Sequence, residues 1–242
     1  MTTTEEASFK HVLPPANVVN RTAFLSDLVR GKRVAHIGFV DRGYREAQDA
    51  RQTWLHAHLN KTAASIAGID LDEAGVERAR REGFQAHAAD CRDPDALRAL
   101  GLEEFDLVLA GEVIEHIDEP GAFLEGLHAL AAPEGRLCVT TPNAYSAVNA
   151  LAALVGVEVI HPDHIALYSW RTLTELLRRH GWQTERSLTY TSPPAPTNDA
   201  AGLKPRLQTK ALNAVLRTQS ALARAKAPFL ADGLIVVCRK SG

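Results

Sequence analysis

Apolar positions along this chain fall in short runs separated by stretches of helical period, the alternation a mostly parallel sheet with crossover helices needs. The first run, Val34-Ala35-His36-Ile37, breaks into Gly38-Phe39-Val40-Asp41-Arg42-Gly43. A helical stretch through Trp54 and Leu59 leads to Ser65-Ile66-Ala67-Gly68-Ile69, which ends on Asp70. Residues 72–81 read as a helix and 84–89 as a strand ending on Asp90-Cys91. Residues 93–100 form a short helix, with Asp93 as its cap and Pro94 in the first turn. A fourth strand over 104–110 is apolar enough to be buried on both faces. A helix over 121–131, a fifth strand over 136–141 and an apolar helix over 144–155 follow. A helix capped by Ser169 and ended by Gly181, then a sixth strand over 182–191, complete the series. Ahead of the first strand, residues 17–30 pattern as one helix stopped by Gly31.

The end of the chain departs from this alternation. Residues 192–196 are a proline-rich linker, 203–227 a long helical pattern, and only 233–238 supply a last strand. Two consecutive strands without a crossover predict an antiparallel edge hairpin, here interrupted by a helix. The expected fold class is α/β, a Rossmann-like doubly wound sheet of seven strands with an antiparallel last strand and a helical insertion before it. The expected divisions are a leader and helix over 1–31, a cofactor-binding core over 32–192, the linker and insertion over 193–230, and the last strand over 231–242. Strand, glycine turn, helix, strand, acid is the layout by which such sheets hold an adenosine-containing ligand at their carboxyl edge.

Composition narrows this picture only a little. With 242 residues, 45% hydrophobic and net charge −2, the chain suits one domain with a sizeable core. Cys91, Cys138 and Cys238 lack paired spacing, so buried thiols are expected before a disulfide or zinc site. No apolar run approaches the roughly 20 residues that span a bilayer, and the N-terminus lacks the pattern of a secretory signal. A cytoplasmic location is the expectation.

A family resemblance rests on an ordered series of segments. These are Phe105-Asp106-Leu107-Val108 through Glu112-Val113-Ile114-Glu115-His116-Ile117, the spacing Pro120-x-x-Phe123-Leu124, Pro133-Glu134-Gly135-Arg136-Leu137, Thr141-Pro142-Asn143 and His180-Gly181-Trp182. Together they resemble the class I S-adenosylmethionine-dependent methyltransferase superfamily, and within it the ubiquinone-type small-molecule branch. The resemblance implies an enzyme using S-adenosylmethionine as cosubstrate, with Gly38, Phe39, Asp70, Leu71, Asp90, Cys91, Gly111 and Glu112 at the cofactor and His116 and Glu115 as catalytic residues. It implies ribose hydroxyls on Asp70 and the adenine amino group at Asp90; on the residues alone, Asp70 could instead cap the next helix. The glycine turn departs from the family's pattern. His36 stands where an acid is usual, Val40 where the second glycine is usual, and Gly43 lies one residue late. Val40 therefore implies a reshaped turn, with Asp41 replacing the acid from a shifted position. This erosion keeps open a second class of function, a cofactor-binding homologue without catalysis.

Glu112, Glu115 and His116 at i, i+3 and i+4 would share a helix face at the ligand edge. With His161 or His164 they could bind a divalent ion, as in metal-using ubiquinone-pathway O-methyltransferases and small-RNA 2′-O-methyltransferases, which they resemble. The preferred reading has no metal, because mixed oxygen and nitrogen donors do not define one. His116 is then a general base on a hydroxyl. Trp54, Tyr145, Tyr168 and Trp170 are acceptor-pocket candidates by position, with core packing the competing role.

The insertion carries Lys204, Arg206, Lys210, Arg217, Arg224 and Lys226 without an acid. Leu212, Val215, Leu216 and Leu222 are expected to be buried against the domain or a partner subunit, with Lys210, Arg217 and Arg224 outward. Such a helix could offer cations to an anionic glycan or lipid acceptor, make peripheral membrane contact, or support a homodimer. Net charge −2 argues against nucleic acid.

Overall fold

In the computed structural model, residues 10–154, 156–192 and 203–241 are described, with side chains from 213 onward in the last stretch. Eight strands form one sheet in the order β1-β7-β8-β6-β5-β2-β3-β4. They are β1 (Val18–Val19), β2 (Arg33–Ile37), β3 (Ser65–Asp70), β4 (Ala86–Ala88), β5 (Phe105–Gly111), β6 (Ala131–Pro142), β7 (Trp182–Tyr190) and β8 (Gly233–Lys240). The helices are α1 (Arg21–Leu28), α2 (Arg45–Arg51), α3 (Leu55–Asn60), α4 (Glu73–Arg81), α5 (Pro94–Ala99), α6 (Pro120–Leu130), α7 (Ala147–Leu154), α8 (Trp170–Arg179) and α9 (Leu203–Ala225). Seven strands match the expected sheet, and β8 is antiparallel to both β6 and β7.

Two expectations are corrected at the sheet's far side. The helix predicted over 17–30 starts at Arg21, because Val18 and Val19 pair with Thr189 and Tyr190 at the open edge of β7. Asn20 turns the chain by accepting the Ala23 N–H at 2.9 Å. The hairpin is also not confined to the edge: β8 lies between β6 and β7.

Alternation along the strands builds a core on each face. Val108, Ala110, Leu137 and Val139 face α6 and α8 through Phe123, Leu124, Leu173 and Leu177. Leu107, Leu109 and Cys138 face the other way, toward Leu25 of α1 and Leu59 of α3. Both faces are therefore covered, which fixes ligands to the strand ends. The expected caps hold as well: Asp93 accepts from Asp95 and Ala96, and Ser169 forms a capping box with Thr172. All three cysteines are buried free thiols.

The insertion α9 is helical as expected, but its buried face is rotated. Gln219 and Ala223 are buried, whereas Val215 and Leu222 are 36% and 45% exposed. The Gln219 side chain meets the Val148 N–H, Ser146 and Asp232, and this polar anchor sets the rotation instead of the leucine stripe. Arg217 and Arg224 are exposed. The expectations for Leu212 and Lys210 lie outside the described side chains, as the linker 193–202 and leader 1–9 lie outside the described residues. Among the described residues no helix is long and apolar enough to cross a membrane.

Candidate active site

The carboxyl ends of β2, β3 and β5 open into a cleft of about 770 Å³ lined by Gly38, Asp41, Asp70, Glu112, Val113, His116, His161 and His164 among others. Gly38, Asp70 and Val113 also line a narrower, mainly apolar slot of about 90 Å³ with Leu71, Asp90, Cys91, Ile117 and Phe123. Cleft and slot are thus adjoining parts of one depression.

The reshaped turn is explained by its packing. Gly38 has φ +67°, and a Cβ there would sit 2.4 Å from Val113. Val40 turns inward, 4% exposed, onto Gly75 of α4, where a Cβ would lie 2.2 Å from the valine. The close approach lost from the turn is moved to the helix beneath it. Asp70 then ties the turn down: it accepts from the Val40 N–H and the Asp72 N–H, each at 3.0 Å. Asp72, not Asp70, caps α4, accepting from Gly75. Burial raises the Asp70 carboxyl above its usual range. Asp41, at φ +55°, reaches the cleft wall, and burial pushes it up to about 6.

Two of the expected cofactor contacts line neither cavity. Phe39 is fully buried against Trp54 and His56, and its carbonyl accepts the Trp54 indole N–H at 2.8 Å. It supports the turn from behind and lines neither cavity. Gly111 lies beneath the Arg21 guanidinium and likewise lines neither cavity. Asp90 lines the slot but is bound by Arg92 at 2.7 Å, which holds its carboxyl below the usual range. Leu71 and Cys91 line the slot as expected. His36 also points away from the ligand edge: it is 3% exposed, with Nδ1 3.1 Å from Nδ1 of His56.

The helix face expected for Glu112, Glu115 and His116 does not exist. Only Ile114–His116 forms a single 3-10 turn, and Glu112 precedes it at φ +59°. Glu112 parts from the other two. Glu112 accepts from the Thr140 hydroxyl at 2.9 Å and the Tyr190 hydroxyl at 2.7 Å, with Arg21 at 4.0 Å. Glu115 is fully buried and accepts from Thr141 at 2.9 Å, while its Oε1 has no partner. Burial and the adjacent Glu112 charge push it up to about 8. Fully buried and lining neither cavity, Glu115 is placed to position its neighbours and not to touch an acceptor. Its carbonyl also receives the Ile165 and Ala166 N–H groups, which fixes the loop carrying His161 and His164.

Glu112 and His116 both line the cleft, but His116 alone of the three is an exposed side chain. Its Nδ1 lies 3.0 Å from the Asp163 carbonyl oxygen. A carbonyl only accepts, so Nδ1 donates here, and Nε2 is the nitrogen of the neutral ring left to accept a proton. His164 packs edge-on against it at 4.6 Å between ring centroids. Glu115, His116 and His164 place one donor each within 4.8 Å of one another, a set able to hold a metal ion. Glu112 stays outside this set.

Residues missed in the sequence complete the site. Arg21 donates to Thr140 at 3.0 Å, and Tyr44 reaches across the cleft to His161 Nε2 at 2.7 Å. A cation on a weakly patterned helix was the one signal for Arg21, and Tyr44 had none beyond its place in the turn. Of the aromatic candidates, Trp54 and Tyr168 are buried, the Trp170 indole donates to Ser187, and Tyr145 is exposed.

Comparison with known proteins identifies the family. A family described as "Methyltransferase domain" matches residues 50–187, more than half of the chain. The chain belongs to the methyltransferase-domain family. It thereby falls in the class I S-adenosylmethionine-dependent methyltransferase superfamily. The matched stretch begins after the altered glycine turn. The chain is 29% identical over 147 residues to a ubiquinone biosynthesis O-methyltransferase of Parvibaculum lavamentivorans, covering 54% of this chain and 55% of that protein. It is 37% identical over 103 residues to the protein of that name from Rhodopseudomonas palustris, covering 42% and 40%. The chain thus spans about half the length of the curated relatives it matches. A solved S-adenosylmethionine-dependent methyltransferase from Archaeoglobus fulgidus superposes with TM-score 0.54 at 14% identity, over 91% of this chain and 93% of that one. A magnesium protoporphyrin IX methyltransferase from Synechocystis superposes with TM-score 0.55 at 15% identity, over 91% and 80%. At these identities the superpositions speak for the fold.

Proposed function

We propose that the protein transfers the methyl group of S-adenosylmethionine to a hydroxyl of a small molecule, sugar or anionic glycan or lipid intermediate, with His116 as general base. The observation that carries this is the hydrogen bond from His116 Nδ1 to the Asp163 carbonyl, which leaves Nε2 of a cleft-lining side chain as the proton acceptor of the neutral ring. The fit of the cosubstrate rests on the continuous slot and cleft. The apolar slot suits an adenine, Asp70 between slot and cleft suits the ribose hydroxyls, and Asp41 suits the ammonium of the amino-acid end. The bound cosubstrate supplies an activated methyl group, so the protein mainly aligns the reactants and removes a proton. Val113 and the Gly38 turn shape the wall between the two cavities, while His116 holds the place for the proton. Incubation with methyl-labelled cosubstrate and a panel of hydroxyl acceptors, including catechols, sugars and glycolipids, tests the reading. Failure to bind S-adenosylhomocysteine in calorimetry would overturn it.

A metal-assisted reading, with an RNA 2′-hydroxyl as acceptor, is supported by the Glu115, His116 and His164 cluster. Against it, Glu112 is already engaged and Glu115 would have to lose its proton to become a ligand. Activity is expected to survive dialysis against EDTA. Stoichiometric metal lost together with activity in His116→Ala would favour the metal reading instead.

A further inference from the structure

Asp90 lines the apolar slot but not the cleft, and its carboxylate is already full. Oδ1 accepts the Arg92 backbone N–H at 2.9 Å and Arg92 Nε at 3.1 Å. Oδ2 accepts the same Nε at 3.1 Å and a terminal guanidinium nitrogen at 2.7 Å. An ionised carboxylate offers about four lone-pair sites, and Arg92 fills that number. A base seated in the slot therefore meets a carboxylate with no lone pair left for an exocyclic amine. Arg92 itself lines neither cavity and stands on the rim.

The guanidinium has a second place to go. Its other terminal nitrogen donates to Asp118 at 2.7 Å and lies 3.7 Å from Glu119. These two acids follow Ile117, itself a wall residue of the slot, and both are exposed. Glu119 precedes α6 without giving it a side-chain cap bond, so its carboxylate is not committed to the helix. One cation thus stands between one slot carboxylate and two rim carboxylates. We propose that Arg92 is a specificity-determining latch of the base slot, which fills Asp90 as seen here and passes to Asp118 and Glu119 when a base with an exocyclic amine enters.

The chemistry of the base decides whether the latch opens. An amine donates to Asp90 and replaces what the guanidinium gave. An oxo group at the same place brings a second acceptor against the carboxylate, cannot release Arg92, and accepts from the guanidinium instead. Ion pairs at an exposed rim are weak, so one such pair exchanges readily for another. The swing moves one side chain, and the Arg92 backbone N–H stays on Oδ1 to keep the carboxylate aimed. Adenine is selected over an oxopurine by this exchange, which rests on the reading of the slot as the seat of the cosubstrate's adenine.

The latch gives opposite signs to its two ends. By calorimetry, Arg92→Met should bind S-adenosylhomocysteine about threefold or more tighter than the parent, because Asp90 starts free. Asp118→Asn with Glu119→Gln should bind it about threefold or more weaker, because the released guanidinium finds no acid to receive it. S-inosylhomocysteine, with an oxo group in place of the amine, should gain nothing from Arg92→Met, so the preference between the two ligands widens in that variant. Arg92→Lys keeps the charge without the side-on pair and should shift binding in the same direction as Arg92→Met by less. Thermal unfolding at the parent's midpoint would verify that the variants are folded. A residue that merely ties the two loops together would weaken binding when either end is cut. Weaker or unchanged binding of S-adenosylhomocysteine in both Arg92 variants, or an equal gain for S-inosylhomocysteine, would overturn the latch alone. A parent that binds no S-adenosylhomocysteine would overturn the methyl-transfer reading and the latch with it.

Discussion

The two sides of the cleft are built on different principles. On the cofactor side the charges are satisfied before any ligand arrives: Asp70 by two backbone N–H groups, Asp90 by Arg92, and the turn by Val40 packed on Gly75. On the acceptor side, polar atoms are left without partners: Oε1 of Glu115 and Nδ1 of His164 are buried and unpaired, and His116 is held through Nδ1. A preassembled side gives binding with little reorganisation, while on the other side the exposed His116 is the group placed to move a proton. Substitutions on the two sides should therefore separate affinity from turnover.

The largest effect is expected at His116. His116→Ala should lower turnover by roughly 10²–10⁴, the range of a lost general base. Its affinity for S-adenosylhomocysteine should stay within about twofold of the parent, because the residue stands outside the preassembled side. A matching loss of affinity would mean that the two sides are not separable. Asp70→Ala should do the reverse, weakening cofactor affinity roughly ten- to a hundredfold through lost charge-assisted hydrogen bonds. Asp70 also anchors Val40, so Asp70→Asn is the sharper probe. It keeps an acceptor oxygen, and a smaller loss than in the alanine variant is expected by calorimetry.

How much of this contrast was legible in the sequence follows from its physical origin. The strands, the caps at Asp93 and Ser169 and the inserted α9 follow from periodicity and local side-chain chemistry, which a single chain displays. The place of Asp70 in the cleft wall was legible because it ends an apolar strand at the carboxyl edge of the sheet. Glu112, Glu115 and His116 were misplaced because helical spacing was assumed for residues whose backbone turns at φ +59° instead. The rotation of α9 was hidden because Gln219, a polar residue, anchors it from 71 residues away. Tyr44 and Arg21 reach the site across the fold, over separations of 117 and 119 residues, and no local pattern encodes such reach.

Two buried clusters sharpen the comparison through pH. Burial drives His56 down to about 3 and His36 well below the usual range, so the folded pair stays neutral where the unfolded chain takes up protons. Their stabilisation is present above about pH 6.5 and is lost as pH falls toward 3, by roughly 1.4 kcal/mol per unit for each histidine that stays neutral. Glu115 has the opposite sign. Its folded value near 8 exceeds the unfolded one, so the folded state holds the extra proton, and its contribution falls as pH rises toward 8. Denaturant titrations from pH 4 to 9 should show stability falling on both flanks. Glu115→Gln should flatten the alkaline flank and steepen the acid flank above about pH 4.5, where the Glu115 slope opposes that of the histidines. A Gln variant that kept the alkaline slope would remove Glu115 as its source.

The smallest effect is expected where the two sides touch. Tyr44 belongs to the glycine turn and His161 to the acceptor loop, and their 2.7 Å hydrogen bond is a side-chain link across the cleft. Tyr44 is 54% exposed, so the bond competes with water and its net worth is near the low end for hydrogen bonds, about 0.5–1 kcal/mol. Tyr44→Phe keeps the ring and removes the hydroxyl. Loosening the acceptor loop without touching Asp70 or His116 should raise the acceptor KM about two- to fivefold, leaving kcat and cofactor affinity nearly unchanged. A rise in the cofactor's dissociation constant of the same size would show that the bond braces the turn instead of the loop. The link would then belong to the preassembled side, and the boundary between the two sides would pass through His161.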